Sequence, residues 1–257
     1  MPRTLGQPRP DSAAYMLRAA AGQAGRAYKQ VMLDLLDVRP GQTVLDVGCG
    51  PGTDLQSLAD RAGPDGTVIG VDHDPAMLAR ARGRVASLPT VGIREADVHA
   101  LPVDPETVDR AKVDRVLMHV ADPSAVLAQL RRVVRPGGRV ALAEPDWDTL
   151  VVDADDLETS RAFTRFTTSQ VVRNSAIGRG LPRLAEQAGF AVETVRTTAP
   201  VFRDVDEADH VLGLGRNMRK AIDGGHIDEA RGLRWFTSLA QGPFFATFTL
   251  VTVACTR

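Results

Sequence analysis

The sequence predicts an α/β fold with an open, mostly parallel sheet and helices on both faces. Three observations predict it. Short apolar runs at 44–47, 67–71, 91–95, 107–112 and 139–143 alternate with stretches of helical periodicity. The first run ends in an acidic residue and then a glycine-rich turn. That is how an open sheet builds a ligand site at its carboxyl edge. Finally, residues 244–256 alternate Phe, Thr and Val as a closing strand does.

The turn reads V-L-D-V-G-C-G-P-G-T over residues 44–53. Gly48, Gly50 and Gly52 fall at every second position, so the backbone can take positive φ and approach a ligand. A dinucleotide fingerprint, G-x-G-x-x-G, would need its third glycine at 53, where Thr53 stands. The pattern is instead D-x-G-x-G-x-G, with Asp46 placed to accept a hydrogen bond from a cationic ligand group, directly or through water. The second run ends in Asp72, placed to accept hydrogen bonds from both hydroxyls of a ribose. His73 follows, then Pro75 at a helix start and Met77 one turn on. The third run leads to E-A-D-V-H-A-L-P, residues 95–102, with Asp97 and Val98 at its centre.

These three ordered motifs resemble those of class I S-adenosylmethionine-dependent methyltransferases, in particular the ubiquinone/menaquinone-type group. The resemblance covers about residues 38–190. It implies a Rossmann-like seven-stranded sheet whose last strand is antiparallel, beside strand six, under a helical cover. S-adenosylmethionine is the implied cofactor. The residues that match are Asp46, Gly48, Cys49, Gly50 and Gly52 at the turn, Asp72, His73 and Met77 around ribose and adenine, and Asp97 and Val98 at the adenine edge. Further echoes are V-D-R-A at 108–111 for the family's fourth strand, which puts Lys112 and Asp114 beside the donor's amino-acid end, and R-P-G-G at 135–138.

Global properties narrow the function classes. A chain of 257 residues suits one generous α/β domain. Its formal net charge of −1 gives no electrostatic footprint for a polyanion, which argues against nucleic acid. The two cysteines, Cys49 and Cys255, support neither a disulfide framework nor a zinc site, and suit a reducing cytoplasm. No apolar run approaches the ~18 residues of a membrane span, and residues 1–10 have no signal-peptide core. The expected protein is cytoplasmic, with a small-molecule acceptor, no nucleic-acid or membrane partner, and a monomeric or homodimeric state.

The regions outside the motifs are read from periodicity. A helix is expected from about 13 to 37, with a break at Gly22 or Gly25, and 1–37 forms an amino-terminal lid if the resemblance holds. Tyr15 would then point into the site. Segments 148–178 and 203–240 read as insertions over the acceptor face, the first with a helix at about 157–172. The second reads as two helices broken at Asp223-Gly224-Gly225.

Methyl transfer asks little of the protein beyond aligning nucleophile, carbon and sulfur and excluding water. A base is required only where the acceptor must lose a proton. His119, after strand four, is the candidate base, with a structural role as its alternative. Asp146 and Trp147, past strand five with Glu144, and Arg173 and Asn174 are candidate acceptor-binding residues, ahead of His210 and Trp235. No metal is expected: Asp114 and Asp146 lack a third ligand. Arsenite as acceptor would require more thiols than two. A protein that binds the donor without transferring methyl, or that cyclises, is the alternative from another class.

Overall fold

The computed structural model describes residues 16, 17, 20 and 22–257. The expectation for Tyr15 lies outside them. Helix α1 (Gln23–Leu36) starts at Gly22, where the sequence suggested a break. There follow β1 (Thr43–Val47), α2 (Leu55–Ala62), β2 (Thr67–Asp72), α3 (Pro75–Arg84), β3 (Val91–Glu95), β4 (Val108–Asp114), α4 (Pro123–Val133) and a long β5 (Val134–Val152). Next come α5 (Leu157–Phe166) with a π turn over Thr167–Val171, α6 (Ile177–Gln187), β6 (Ala191–Thr198) and β7 (Val201–Phe202). The chain finishes with α7 (Val205–Leu212), α8 (Leu214–Asp223), α9 (Glu229–Ser238) and β8 (Ala246–Thr256).

Local chemistry sets several helix starts. The Asp74 and Asp122 carboxylates accept backbone N–H groups of their own first turns, and Pro75 and Pro123 follow each cap. Proline at the first helical position removes a donor that would have no partner there anyway.

The strand order is β3-β2-β1-β4-β5-β8-β6, with β7 beside β8. Strands β1 to β5 pair in parallel, and β8 runs antiparallel to β5 and β6. Order reverses between β1 and β4, so the cleft of this sheet lies where those two strands end. One core packs α1, α2 and α3 on one face, with Met32, Leu36, Leu55, Leu58 and Leu78 buried. The other packs α4 and α6, with Leu127, Leu130, Leu142 and Leu181. A third core, around Phe163, Trp235, Phe236 and Phe248, belongs to α5, α7, α8 and α9 and the ends of β5 and β8.

The structure corrects three expectations. Strand five does not stop at 143 but runs to Val152, into the stretch read as the start of an insertion. Its E-P-D-W segment looks like a turn locally. Pairing of Asp146 with Thr249, and of Val151 with Thr247 beyond a bulge, keeps it extended. Segment 203–240 holds three helices rather than two, because Gly213, at φ 65°, ends α7 and opens α8. The helix expected over 157–172 is α-helical only to Phe166.

Helix α6 lies hard against β5. A Cβ on Gly178 would sit 2.8 Å from the Glu144 carbonyl oxygen and 2.9 Å from Asp146 N. Backbone cannot move aside cheaply, so Gly178→Ala is expected to destabilise the fold by about 1–3 kcal/mol, read as a lower urea midpoint at unchanged m-value.

Candidate active site

The glycine turn takes the strained path its sequence permits. Gly48, Gly50 and Gly52 have φ of 70°, 53° and 78°. Two of the three are pressed against protein. A Cβ at Gly48 would stand 2.2 Å from Val116 Cγ2, and one at Gly52 would stand 3.2 Å from the Ala81 backbone. Gly50 instead faces Met16, whose Cε would lie 3.4 Å from an added Cβ. Cys49 is buried beside it, and burial pushes its thiol well up, which disfavours the thiolate.

Asp72 fastens this turn to its own strand end. Its Oδ2 accepts Gly50 N at 2.8 Å, while Oδ1 accepts His73 N at 2.8 Å and Asp74 N at 3.0 Å. Met77 and Val98 are buried, and the His73 side chain is exposed. Asp97 is exposed at the end of β3. The His99 backbone N–H and imidazole hold its carboxyl below the usual range. Strand ends β1, β2 and β3 thus present a glycine bed and two carboxylates in the order an adenosyl group would need.

Beneath the turn lies a ladder of buried charge. Asp46 and Lys112 are register partners on β1 and β4, and Lys112 Nζ lies 2.8 Å from Asp46 Oδ1 and 2.8 Å from Asp54 Oδ2. Lys29 of α1 reaches Asp54 and Asp114, each at 2.7 Å, and Thr53 Oγ1 at 3.4 Å. Tyr28 donates to the Asp114 carboxylate at 3.2 Å, and burial pushes its phenol up to about 12. Asp54, the residue before α2, makes no side-chain cap bond; its carboxylate is turned to the lysines. Despite burial, the lysines hold Asp54 and Asp114 below the usual carboxylate range, and the acids hold both lysines above theirs. Asp46 moves the other way, because desolvation outweighs Lys112. Its Oδ2 is buried without a hydrogen-bond partner in the structure, an acceptor left over at the foot of the cleft.

Lys29 and Asp54 were not singled out from sequence. The available signal was a cation at 29 on the apolar stripe of Met32, Leu33 and Leu36. Lys112 lies under the turn with its ammonium enclosed by two carboxylates. Lys112→Met is expected to cost about 3–5 kcal/mol, because it strands buried carboxylates; chemical denaturation would measure it.

On the β4 side, Arg115 takes φ 56°, and its N–H donates to Ala143 O at 2.9 Å. The following loop carries His119, exposed at the rim. Glu144 is fully buried and accepts Val116 N at 2.8 Å, Leu117 N at 2.5 Å and Met118 N at 3.3 Å. Asn174 donates to Leu117 O and Val120 O. Asp146 is bound by both arms of Arg179, and Arg173 is exposed. Trp147 stacks on Phe248 with centroids 4.9 Å apart, and its indole nitrogen is buried without a hydrogen-bond partner.

Burial pushes Glu144 up to about 8, against its three backbone donors. A folded-state value above the unfolded one makes its contribution complete below about pH 4.5 and lost as pH rises to about 8. The stability difference between the wild type and Glu144→Gln should therefore shrink across that window, by at most about 1.4 kcal/mol per pH unit, in denaturation curves taken at several pH values.

Other candidates have structural partners. Trp235 donates to Ser160 Oγ at 2.8 Å within the third core, and His210 bonds Asp206 O within its own helix. Asp114 and Asp146 are committed to different cations. Among the described residues no cluster of three His, Cys, Asp or Glu stands ready for a metal.

The family model described as a methyltransferase domain matches residues 39–201. The uncharacterized 37.1 kDa protein in transposon TN4556 of Streptomyces fradiae is 52% identical over 95% of this chain and 71% of its own length. An arsenite methyltransferase of Halobacterium salinarum is 39% identical over 68% of this chain and 44% of its own. A demethylmenaquinone methyltransferase of Bacillus cytotoxicus is 33% identical over 50% of this chain and 55% of its own. The chain therefore spans only about half the length of these last two relatives. Among solved structures, a geranyl diphosphate C-methyltransferase of Streptomyces coelicolor, bound to S-adenosyl-L-homocysteine, superposes with TM-score 0.60 at 17% identity, covering 99% of this chain and 88% of that one. A matched family model over most of the chain, laid on a glycine bed and carboxylates in the expected order, makes this chain a member of the methyltransferase-domain family, a class I S-adenosylmethionine-dependent methyltransferase.

Proposed function

We propose that the chain methylates a compact, partly apolar small molecule, a natural-product intermediate of the phenolic, indolic or quinone-like kind, on oxygen, carbon or nitrogen. The observation that carries this reading is the aromatic column of Trp147, Phe248 and Phe202, at centroid spacings of 4.9 and 6.3 Å, where β5 and β8 leave the cleft side of the sheet. Phe248 and Phe202 are buried in the third core and back the half-buried Trp147, so Trp147 is the ring available to a flat acceptor, and its unpartnered indole N–H is a donor for a polar substituent. In this reading, segments 148–178 and 203–240 cover the acceptor, and 1–37 covers the donor with Met16 over Gly50.

Bound donor supplies an electrophilic methyl on a sulfonium. The chain's part is to hold it: Gly50 offers backbone approach, Asp72 the ribose acceptors, Asp97 and Val98 the adenine edge. The unpartnered Asp46 Oδ2 would take the cationic amino-acid end or a water bridging to it. In-line displacement then needs an acceptor seated in a dry pocket, and His119 would take a proton where the nucleophile carries one. An arsenic acceptor fits poorly. Cys49 lies at the carboxyl edge of the parallel strands and Cys255 beside Val140 near the opposite edge; both are buried, and burial raises both thiols.

Charge near neutrality suits a cytoplasmic role in bacterial secondary metabolism without a nucleic-acid partner. Among the described residues no helix is long and apolar enough to cross a membrane. The test is incubation with methyl-labelled donor and a panel of phenols, indoles and quinones. Labelled product is expected from at least one class, and Trp147→Ala should lower its turnover about tenfold at unchanged affinity for S-adenosylhomocysteine. Donor binding with no labelled product across the panel would favour a binding module or cyclase instead.

A further inference from the structure

The loop after β4 is held in an uncommon way. Its backbone donors at 116, 117 and 118 all end on one carboxylate, Glu144 of β5. Its carbonyls at 117 and 120 accept from one carboxamide, Asn174, at 2.8 and 2.9 Å, and Met118 O accepts Asn174 N at 3.1 Å. His119 N closes on Val116 O within the loop. Two residues from other elements thus fix the loop on its donors and on its acceptors. Arg115, just ahead of it, is left-handed without being glycine, a conformation that persists only where the surroundings over-determine it. What the loop presents is Val116, packed on Gly48 across the point where strand order reverses.

We propose that Glu144 and Asn174 are positioning residues that together lock the 116–120 loop as the fixed wall of the donor cleft opposite the glycine turn. Neither need touch the donor. Glu144 is fully buried, and Asn174 faces the loop. Removing either should let Val116 leave Gly48 and widen the cleft. Because both act through the same five residues, the second removal should add little to the first.

The proposal rests on the donor site alone, so failure to find an acceptor leaves it standing. S-adenosylhomocysteine binding is measured by calorimetry at pH 8.5 for the wild type, Glu144→Gln, Asn174→Ala and the double variant. Amide hydrogen exchange is followed in parallel, and Leu184→Ala, a half-buried α6 residue packed against the sheet core, serves as a control for general loosening. Each single variant is expected to bind about tenfold more weakly, with the double variant within about threefold of the weaker single one. Exchange should rise at 116–119 and not in β1, and the control should bind normally. Should Glu144→Gln fail to fold, Asn174→Asp takes its place, since its carboxylate cannot donate to the two carbonyls. Wild-type affinity in either single variant, losses that add in the double, or exchange that rises throughout the sheet would overturn the proposal.

Discussion

Three aspartates and two lysines buried beneath the glycine turn are what the carboxyl edge of this sheet depends on. Isolated, any one of them would resist transfer from water by several kcal/mol. Together they alternate in sign, and each lysine bridges two acids: Asp46 to Asp54 through Lys112, Asp54 to Asp114 through Lys29. The three N–H bonds of Lys29 all have acceptors, counting Thr53 Oγ1. That saturation offsets desolvation at Lys29, whereas at Asp46, with Oδ2 unpartnered, burial prevails over Lys112. Four elements meet in it: α1, β1, the start of α2, and β4. None can shift along the sheet without uncovering a charge.

The same sheet edge is tied together down to individual backbone groups. Gly50 is hydrogen-bonded to Asp72, Gly48 is packed against Val116, and Val116 is tied to Glu144. Each tie runs from one strand end to the next, so the row β2-β1-β4-β5 is continuous at its upper edge. Cleft residues then need only present groups already in place, which is how preorganisation serves a reaction with little covalent chemistry for the protein to do.

Legibility from sequence follows the same division. The glycine turn, the strand ends and the helix starts could be read because their demands are local: glycines at alternate positions, an acid at the end of each strand, Asp-Pro at helix starts. Strand β3 and the starts of α3 and α4 fall where their sequence signals put them. The ladder was not legible. Asp46 and Lys112 drew attention by position, but as groups facing the donor rather than each other, while Lys29 and Asp54 are 25 residues apart and meet only in the folded chain. The same holds for Asn174, whose sequence neighbourhood suggested the acceptor and whose amide meets the 116–120 loop 54–57 residues away. Strand β5 misled for the opposite reason: its local signal is a turn, and β8 overrides it. Distance along the chain, rather than weakness of any one interaction, marks where reading stops.

Helix α1 connects the two halves. Tyr28 and Lys29 are consecutive, yet Tyr28 packs into the aromatic core of α5, α7, α8 and α9 while Lys29 completes the ladder. Both reach Asp114, one by its phenol and one by its ammonium, and Arg115 stands 5.7 Å above the Tyr28 ring. A movement of the third core that displaced Tyr28 would therefore disturb the hydrogen bonding of Asp114, and with it the charge balance beneath the glycine turn. Conversely, whatever stabilises the end of β4 also holds Tyr28 in the third core. One pair of adjacent side chains on α1 thus ties the third core to the ladder through a single carboxylate.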